Sequence, residues 1–452
     1  VKDLTQGSVI RHLLHMSAFM AVSMLMQTLY LLADLYWVGQ LGREAIAAVS
    51  VAGNLMMIVM ALTQTLGVGT TALLAQAAGR KDQPHGERTF NQSLVMSLVV
   101  GLAFTGAGFL LRDAYCDALS ADAATAELAR QYLNWFIPAL GLQFPMVTLG
   151  SALRATGIIK PAVGFQILSV VLNIVLTPLF IFGVSPLPRM GVSGAALATF
   201  IAILIADVLM VLYFERYYHY LRFRIAQWRP QFRVWWAMLK VGLPAGAEFA
   251  LWSFYMIIVY AIIRPFGPAA QAGFGVGARV MQAMFLPVVA LSFAVGPVVG
   301  QNFGGRKADR VRHAVYAALG LASAMMLVLT VIARLWPEEL MRPFSSDAGV
   351  IAFGGEYLMI VSLNFLASGI AFSSSSVFQG LGNTIPPLLS TASRLLLFAL
   401  PAVWLSSRAG FEIRQVWYLS VASQLVQAVL ILVLLRRELA TKLRFDEGAR
   451  HA

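Results

Sequence analysis

The chain has 452 residues, of which 59% are hydrophobic and only 12% charged, with a formal net charge of +12. This composition excludes a soluble globular domain. The basic balance would suit a nucleic-acid partner, but the distribution of the charge along the chain argues against one.

Twelve apolar segments of spanning length follow one another, at about 9–38, 46–76, 90–112, 128–153, 161–183, 191–216, 237–264, 275–302, 312–335, 350–377, 386–407 and 412–436. About 20 apolar residues suffice to cross a bilayer core. None of the segments alternates as a membrane barrel does, so the expected fold class is an all-α integral membrane protein with twelve transmembrane helices. The first segment contains no proline and carries "LYLLADLYWVGQLG", which sets Asp34 near its end. The fifth carries Asn173 and Thr177, the seventh Glu248 and the eleventh Arg394. After the sixth comes the longest and most basic connection, "ERYYHYLRFRIAQWRPQFRVWWAMLK".

With residue 1 taken as cytoplasmic, the cytoplasmic ends and loops collect 22 Lys and Arg against 9 on the other side, and Arg279 and Arg394 lie within spans. That bias places both termini in the cytoplasm and predicts a multi-pass protein of the inner (plasma) membrane. The basic connection is then a topology signal in contact with anionic lipid heads. No nucleic-acid partner is expected. A single cysteine, Cys116, cannot make an internal disulfide, and no cleavable signal peptide is visible. The six histidines, His12, His15, His85, His219, His313 and His451, fall in loops or near span ends. No His/Cys cluster marks a metal site and no Walker loop marks ATP use. No carboxylate, metal or nucleophile constellation marks an enzyme, and no cofactor is expected.

The sequence repeats itself at an offset of 225. Tyr30 meets Tyr255, Gly42 meets Gly267, Ala45 meets Ala270, Gln76 meets Gln301, Tyr132-Leu133 meets Tyr357-Leu358, Gly157 meets Gly382 and Pro161 meets Pro386. Each half therefore holds six spans. Six is even, so the halves are parallel repeats that make two pseudo-symmetric six-helix lobes. The expected organisation is an N-lobe over 1–216, a basic cytoplasmic linker over 217–236, a C-lobe over 237–436 and a cytoplasmic tail over 437–452. A duplicated bundle of this kind suits transport by alternating access.

Ser23, Gln27, Tyr30 and Asp34 share one face of the first helix, and Gln166, Ser169, Asn173 and Thr177 share one face of the fifth. Polar stripes in spanning helices turn toward a bundle interior or a water-filled cavity. For the neutral residues the plain alternative is hydrogen bonding between helices. Asp34 differs, because an ionised carboxylate at depth costs roughly 2.5–3.5 kcal/mol on insertion scales, and no Arg or Lys stands on either stripe. A carboxylate poised between its protonated and ionised forms is what proton coupling needs. The ionised form could also hold a cationic drug, or Na⁺ with oxygens from Asn173 and Thr177. In the second half the same stripe reads Glu248, Trp252, Tyr255 and Val259, with Arg394 in place of Ser169. Glu248 and Arg394 are either substrate-facing groups or a buried ion pair.

The segments "LYLLADLYWVGQLGREAIAAVSVAG", "AQAAGRKD", "LRATGIIKPAVGFQILSVVLNIVLTPLFIFG", "GVSGAALAT" and "FQGLGNTIPP" resemble those of multidrug and toxic compound extrusion (MATE) transporters. The resemblance runs from about residue 8 to 435. It implies an antiporter that exports bulky, often cationic organic compounds in exchange for protons or Na⁺, and a flippase of lipid-linked sugars on the same architecture is the rival. Asp34 falls on the acidic position that couples transport in many members. Tyr30 and Asn173 match the prokaryotic DinF-like branch. That branch has an aspartate where Thr177 stands and an asparagine where Leu31 stands, and the first-helix proline tied to one bending mechanism is absent. The expected cation-coupling set is Asp34, Tyr30, Asn173 and Thr177, with Gln27, Glu248, Trp252, Tyr255 and Arg394 as substrate-side candidates. The organic compound and the bilayer are the expected partners of a monomer.

Overall fold

The computed structural model describes residues 2–184, 186 and 188–445. The end of the expected tail, 446–452 with His451, lies outside the described residues. Among the described residues every regular element is helical. In chain order they are α1 (Val9–Gly39), α2 (Arg43–Gly53), α3 (Leu55–Gly79), α4 (Gln83–Leu119), α5 (Ala123–Ala155), α6 (Ile159–Phe182), α7 (Val192–Arg216), α8 (Phe232–Ile263), α9 (Pro268–Gly304), α10 (Ala308–Leu335), α11 (Pro337–Met341), α12 (Ala348–Val361), α13 (Asn364–Leu381), α14 (Ile385–Ser406) and α15 (Ile413–Lys442). Among the described residues, eleven helical stretches are long and apolar enough to cross a membrane by themselves, with α2 and α3 counted together.

The twelfth span is broken. α12 and α13 meet at a bend of 59° rather than forming one helix over 350–377. Neither Ser362 nor Leu363 is a helix breaker by type. Local and tertiary donors together satisfy the carbonyls at the break: Ser362 O accepts from Phe365 N and from the Thr330 hydroxyl at 3.2 Å, and Met359 O from Ser362 Oγ and from the Arg334 guanidinium at 3.0 Å. Irregular backbone at membrane depth is tolerated only with such replacements.

The chain divides into two compact units. Unit 1 holds the chain start through Asp3 and Val22–Gly246, and unit 2 holds Leu4–Ala21 and the chain from Ala247 onward. The changeover at Ala21/Val22 in α1 and that at Gly246/Ala247 in α8 are themselves 225 residues apart. Local backbone keeps the same offset. Gly42 and Gly267 take φ of 110° and 92°, Lys81 and Arg306 take 58° and 56°, and Gly157 and Gly382 take 77° and 73°. At the last pair the helix-ending hydrogen bonds also match, Ile158 N to Leu153 O and Asn383 N to Phe378 O. The repeat is therefore written in backbone conformation as well as in residue identity.

Within unit 1, α5 is the central helix and packs on α2, α3, α4, α6 and α7. Its Tyr132, Phe136, Leu140 and Phe144 are buried with Val38, Ala48, Leu66 and Ala195. Apolar side chains gain little by leaving lipid for protein, so close backbone approach has to supply contact energy. A Cβ on Gly101 of α4 would stand 2.7 Å from Gly141 O of α5. Within unit 2, Phe274 stacks on Trp417, which also meets Tyr357 edge-on, and a Cβ on Gly380 would stand 2.7 Å from Gly296 O.

Buried polar residues of α4 seat the basic connection between Arg216 and Phe232. Glu87 accepts from Arg222 N and the Arg224 guanidinium. Asn91 accepts from Arg224 N and the Trp228 indole, and Gln92 from Gln231 N and the Trp235 indole. In unit 2, Gln301 and Asn302 of α9 do the same for Leu4, with Lys307 bonded to Thr5 and Arg310 to Gly7.

Candidate functional site

In unit 1 the polar stripes of α1 and α6 meet α7. Asn173 donates from Nδ2 to Thr199 Oγ1 at 2.8 Å, and Thr177 Oγ1 donates to Asn173 Oδ1 at 3.2 Å. Tyr30 shares a hydrogen bond with Thr199 and lies within electrostatic reach of Asp34, as does Tyr132 of α5. Asp34 itself is 6% exposed, and its Oδ1 has no hydrogen-bond partner among the described residues. Four helices thus bring Tyr30, Asp34, Tyr132, Asn173, Thr177 and Thr199 into one buried cluster with a single carboxylate. Further along the same stripes, Ser23 Oγ donates to Gln166 Oε1 at 2.6 Å. Gln27 does not join them and is exposed.

Thr199 and Tyr132 were not among the residues that the sequence singled out. Thr199 lies in "GVSGAALAT", and a search for polar side chains within the sixth span would have found it together with Asp207. Tyr132 reads in sequence as a repeat landmark, and only the fold brings it to Asp34.

Unit 2 builds a different cluster at the equivalent helices. Glu248 accepts from Ser375 Oγ at 2.9 Å and from Thr391 Oγ1 at 3.2 Å. Behind Thr391 stand Gln427, whose Nε2 donates to Thr391 Oγ1 at 3.0 Å, and Gln424, whose Nε2 donates to Gln427 Oε1 at 3.0 Å. This chain of donors ends on the carboxylate. A small cavity beside it is lined by Glu248, Trp252, Ser368, Phe372, Thr391 and Gln427.

The buried Glu248–Arg394 ion pair is not formed. Arg394 instead lies over the rings of Tyr255, at 4.9 Å, and Trp252, at 5.8 Å, with its Nε unbonded. Tyr255 OH meets Ser420 Oγ at 2.9 Å. Two hydroxyls satisfy the acid and two aromatic faces hold the base, so neither charge depends on the other. Among the described residues no group of three or more His, Cys, Asp or Glu could hold a metal ion.

The MatE family model matches the chain twice, over residues 20–179 and 244–405, once in each repeat. A FAD transporter of Shewanella oneidensis is 24% identical over 401 residues, covering 88% of each chain. The probable multidrug resistance protein YpnP of Bacillus subtilis is 28% identical, covering 83% of this chain and 85% of its own. The multidrug export protein MepA of Staphylococcus haemolyticus is 25% identical, covering 83% and 82%. Among solved structures, a MOP superfamily transporter from Pyrococcus furiosus superposes with a TM-score of 0.89 at 24% identity, covering 97% of this chain and 98% of that one. A MATE transporter in its bent conformation superposes with a TM-score of 0.90 at 24% identity, covering 97% of each. With both repeats matched and the two-lobed helical fold shared, the chain belongs to the MatE family of membrane transporters.

Proposed function

We propose that the protein is a secondary-active efflux antiporter that exports bulky, often cationic organic compounds in exchange for protons by alternating access. It works as a monomer in the inner (plasma) membrane with both termini cytoplasmic. The observation that carries this reading is the buried Asp34 carboxylate beside the Tyr30–Thr199–Asn173–Thr177 cluster, with its Oδ1 unbonded among the described residues. A structural aspartate would have its oxygens bonded. Here one oxygen is left for a proton, or for Na⁺ held with the Asn173 and Thr177 oxygens. Protonation removes the counter-charge of a bound organic cation, so each ligand binds better when the other is absent. Gln27, Trp252, Tyr255 and Arg394 are assigned to the substrate side, and Glu248, with both oxygens taken by hydroxyls, to holding the helices of unit 2 together. The lobes take the boundaries 1–216 and 237–436, with 217–236 as the linker and 437–452 as the tail.

The test is efflux of ethidium from everted vesicles under an imposed pH gradient or an imposed Na⁺ gradient. Wild-type protein is expected to respond to the pH gradient, and Asp34→Asn to fold and insert, to bind the dye weakly and without pH dependence, and to show no gradient-driven transport. Full transport by Asp34→Asn sinks the reading. A second reading, export of an anionic or lipid-linked metabolite, draws support from the Shewanella relative named as a FAD transporter and from Arg394 held without a carboxylate partner. It predicts competition of ethidium efflux by flavin dinucleotide and loss of that competition in Arg394→Met.

A further inference from the structure

Besides Asp34 and the ion-paired Glu87, unit 1 contains a buried carboxylate that neither the Asp34 cluster nor the basic connection uses. Asp207 of α7 is 7% exposed, and neither of its carboxylate oxygens has a hydrogen-bond partner among the described residues. It does not face lipid. Leu204, Ile205, Val208, Leu209, Val211 and Leu212 form the exposed side of α7, while Ala202, Ile203, Ala206, Asp207, Met210 and Phe214 are buried. α7 packs on α5 and α6. The titratable groups of those helices are Glu127, Arg130, Tyr132 and Arg154 on α5 and Lys160 on α6, with Tyr213, Glu215 and Arg216 on α7 itself, and none of them is a hydrogen-bond or ion-pair partner of Asp207 among the described residues. An acid inside a membrane helix with no partner to satisfy it is a functional group by default.

Its depth can be read from the hydrogen bonds around it. Asn173 of α6 is level with Thr199 of α7. Asp207 lies eight residues further along α7, about 12 Å at the helical rise. The antiparallel α6 is there level with Gln166, whose Oε1 accepts from Ser23 of α1. Three of the four helices that build the Asp34 cluster, α1, α6 and α7, therefore build a second polar level one step nearer the side where α1 begins. Ser169, buried on the α6 stripe, stands between the two levels.

We infer that Asp207 is a second proton-carrying carboxylate of unit 1, which receives the proton leaving the Asp34 cluster on its way to the side of the membrane where α1 begins. The transfer balances simply. The Asp34 carboxylic acid loses its proton and becomes a carboxylate, and the Asp207 carboxylate gains that proton and becomes neutral. Hydroxyls of Tyr30, Thr199, Ser169 and Ser23, bridged by water, carry it across. The relay rests on the reading of Asp34 as the coupling carboxylate. That Asp207 itself titrates does not.

The first experiment therefore uses no substrate. Infrared difference spectra of the protein in lipid nanodiscs are recorded on stepping the pH upward, since ionising a carboxylic acid bleaches its C=O band. The wild type is expected to lose one band that is missing in Asp34→Asn and a separate one that is missing in Asp207→Asn. If Asp207→Asn removes no titrating band, the inference is overturned whatever Asp34 does. The second experiment is pH-driven ethidium efflux from everted vesicles. Asp207→Asn is expected to slow efflux severalfold with dye affinity unchanged, and Asp207→Glu to restore it. Wild-type efflux by Asp207→Asn overturns the relay. Full efflux by Asp34→Asn with the Asp207 band still titrating separates failure of the coupling reading from failure of this one.

Discussion

The two units share a backbone and differ in their acids. The paired residues at positive φ, the matched helix-ending hydrogen bonds and the unit changeovers in α1 and α8 all recur at 225 residues. The interiors do not. Asp34 in unit 1 keeps an oxygen without a donor, whereas both oxygens of Glu248 in unit 2 accept from hydroxyls. The position equivalent to Asp34 in unit 2 is Val259, fully buried in an apolar cluster. A duplicated scaffold has thus kept the constraints that close its turns and let its polar interior diverge. The unsatisfied acid is the one suited to binding and releasing a cation, and the satisfied one is suited to holding helices together.

The largest expected effect tests that division directly. Asp34→Asn is expected to lower pH-driven efflux by about tenfold or more, in the range of ordinary coupling energies. Asp34→Glu should keep part of the activity. Glu248→Gln, which can accept from one hydroxyl and donate to the other, should retain most of it. Equal losses from the two neutral variants would erase the distinction between the units.

Stability should run the other way. Glu248→Ala strands the hydroxyls of Ser375 and Thr391 at once, at a cost of about 1–3 kcal/mol. Asp34→Leu removes a buried acid with an unbonded oxygen, so it should leave the melting temperature in detergent unchanged or raise it, as often happens when a functional group is removed. A lower melting temperature for Asp34→Leu than for Glu248→Ala would contradict the assignment.

Much of this was legible in sequence, and the gaps have physical causes. The twelve spans and the offset of 225 follow from apolar length and recurring Gly, Pro and Tyr, because those residues are tied to bilayer thickness and to special backbone. Asp34, Tyr30, Asn173 and Thr177 were readable as stripes because helical spacing places them on one face. Gln27 belongs to the same stripe and is nevertheless exposed, since spacing gives a face but not what covers it. The partners of Glu248 were not readable. An ion pair with Arg394 was one of two readings the sequence left open, and hydroxyls from two other helices meet Glu248 instead. The bend between α12 and α13 was hidden for a similar reason, since two of the donors at it, Thr330 and Arg334, come from α10. Asp207 was legible and passed over, one acid in an otherwise apolar span.

A smaller effect probes what the units have in common. Gly157 and Gly382 both end helices in the left-handed region, where a Cβ costs about 1–2 kcal/mol. Gly157→Ala and Gly382→Ala should lower stability by similar amounts in that range. Marked inequality would show that the matched geometry is held by different neighbours in the two units.

The smallest expected effect is the most discriminating for unit 2. If Glu248 and Arg394 are satisfied separately, the cycle made by Glu248→Gln, Arg394→Met and the double variant should show a coupling within about 0.5 kcal/mol of zero. Arg394 should instead couple to the aromatic face beneath it. A guanidinium over a ring is worth about 0.5–2 kcal/mol, more as water is excluded. The cycle of Arg394→Met with Tyr255→Leu should therefore return a coupling of about 1 kcal/mol, while Tyr255→Phe, which keeps the ring and loses only the bond to Ser420, should leave most of that coupling in place. Glu248–Arg394 coupling well above 1 kcal/mol would mean that the two charges pair in the state that dominates in the membrane. Glu248 would then be an ion-pair partner, and its contrast with Asp34 would lie in the partner rather than in satisfaction by hydroxyls.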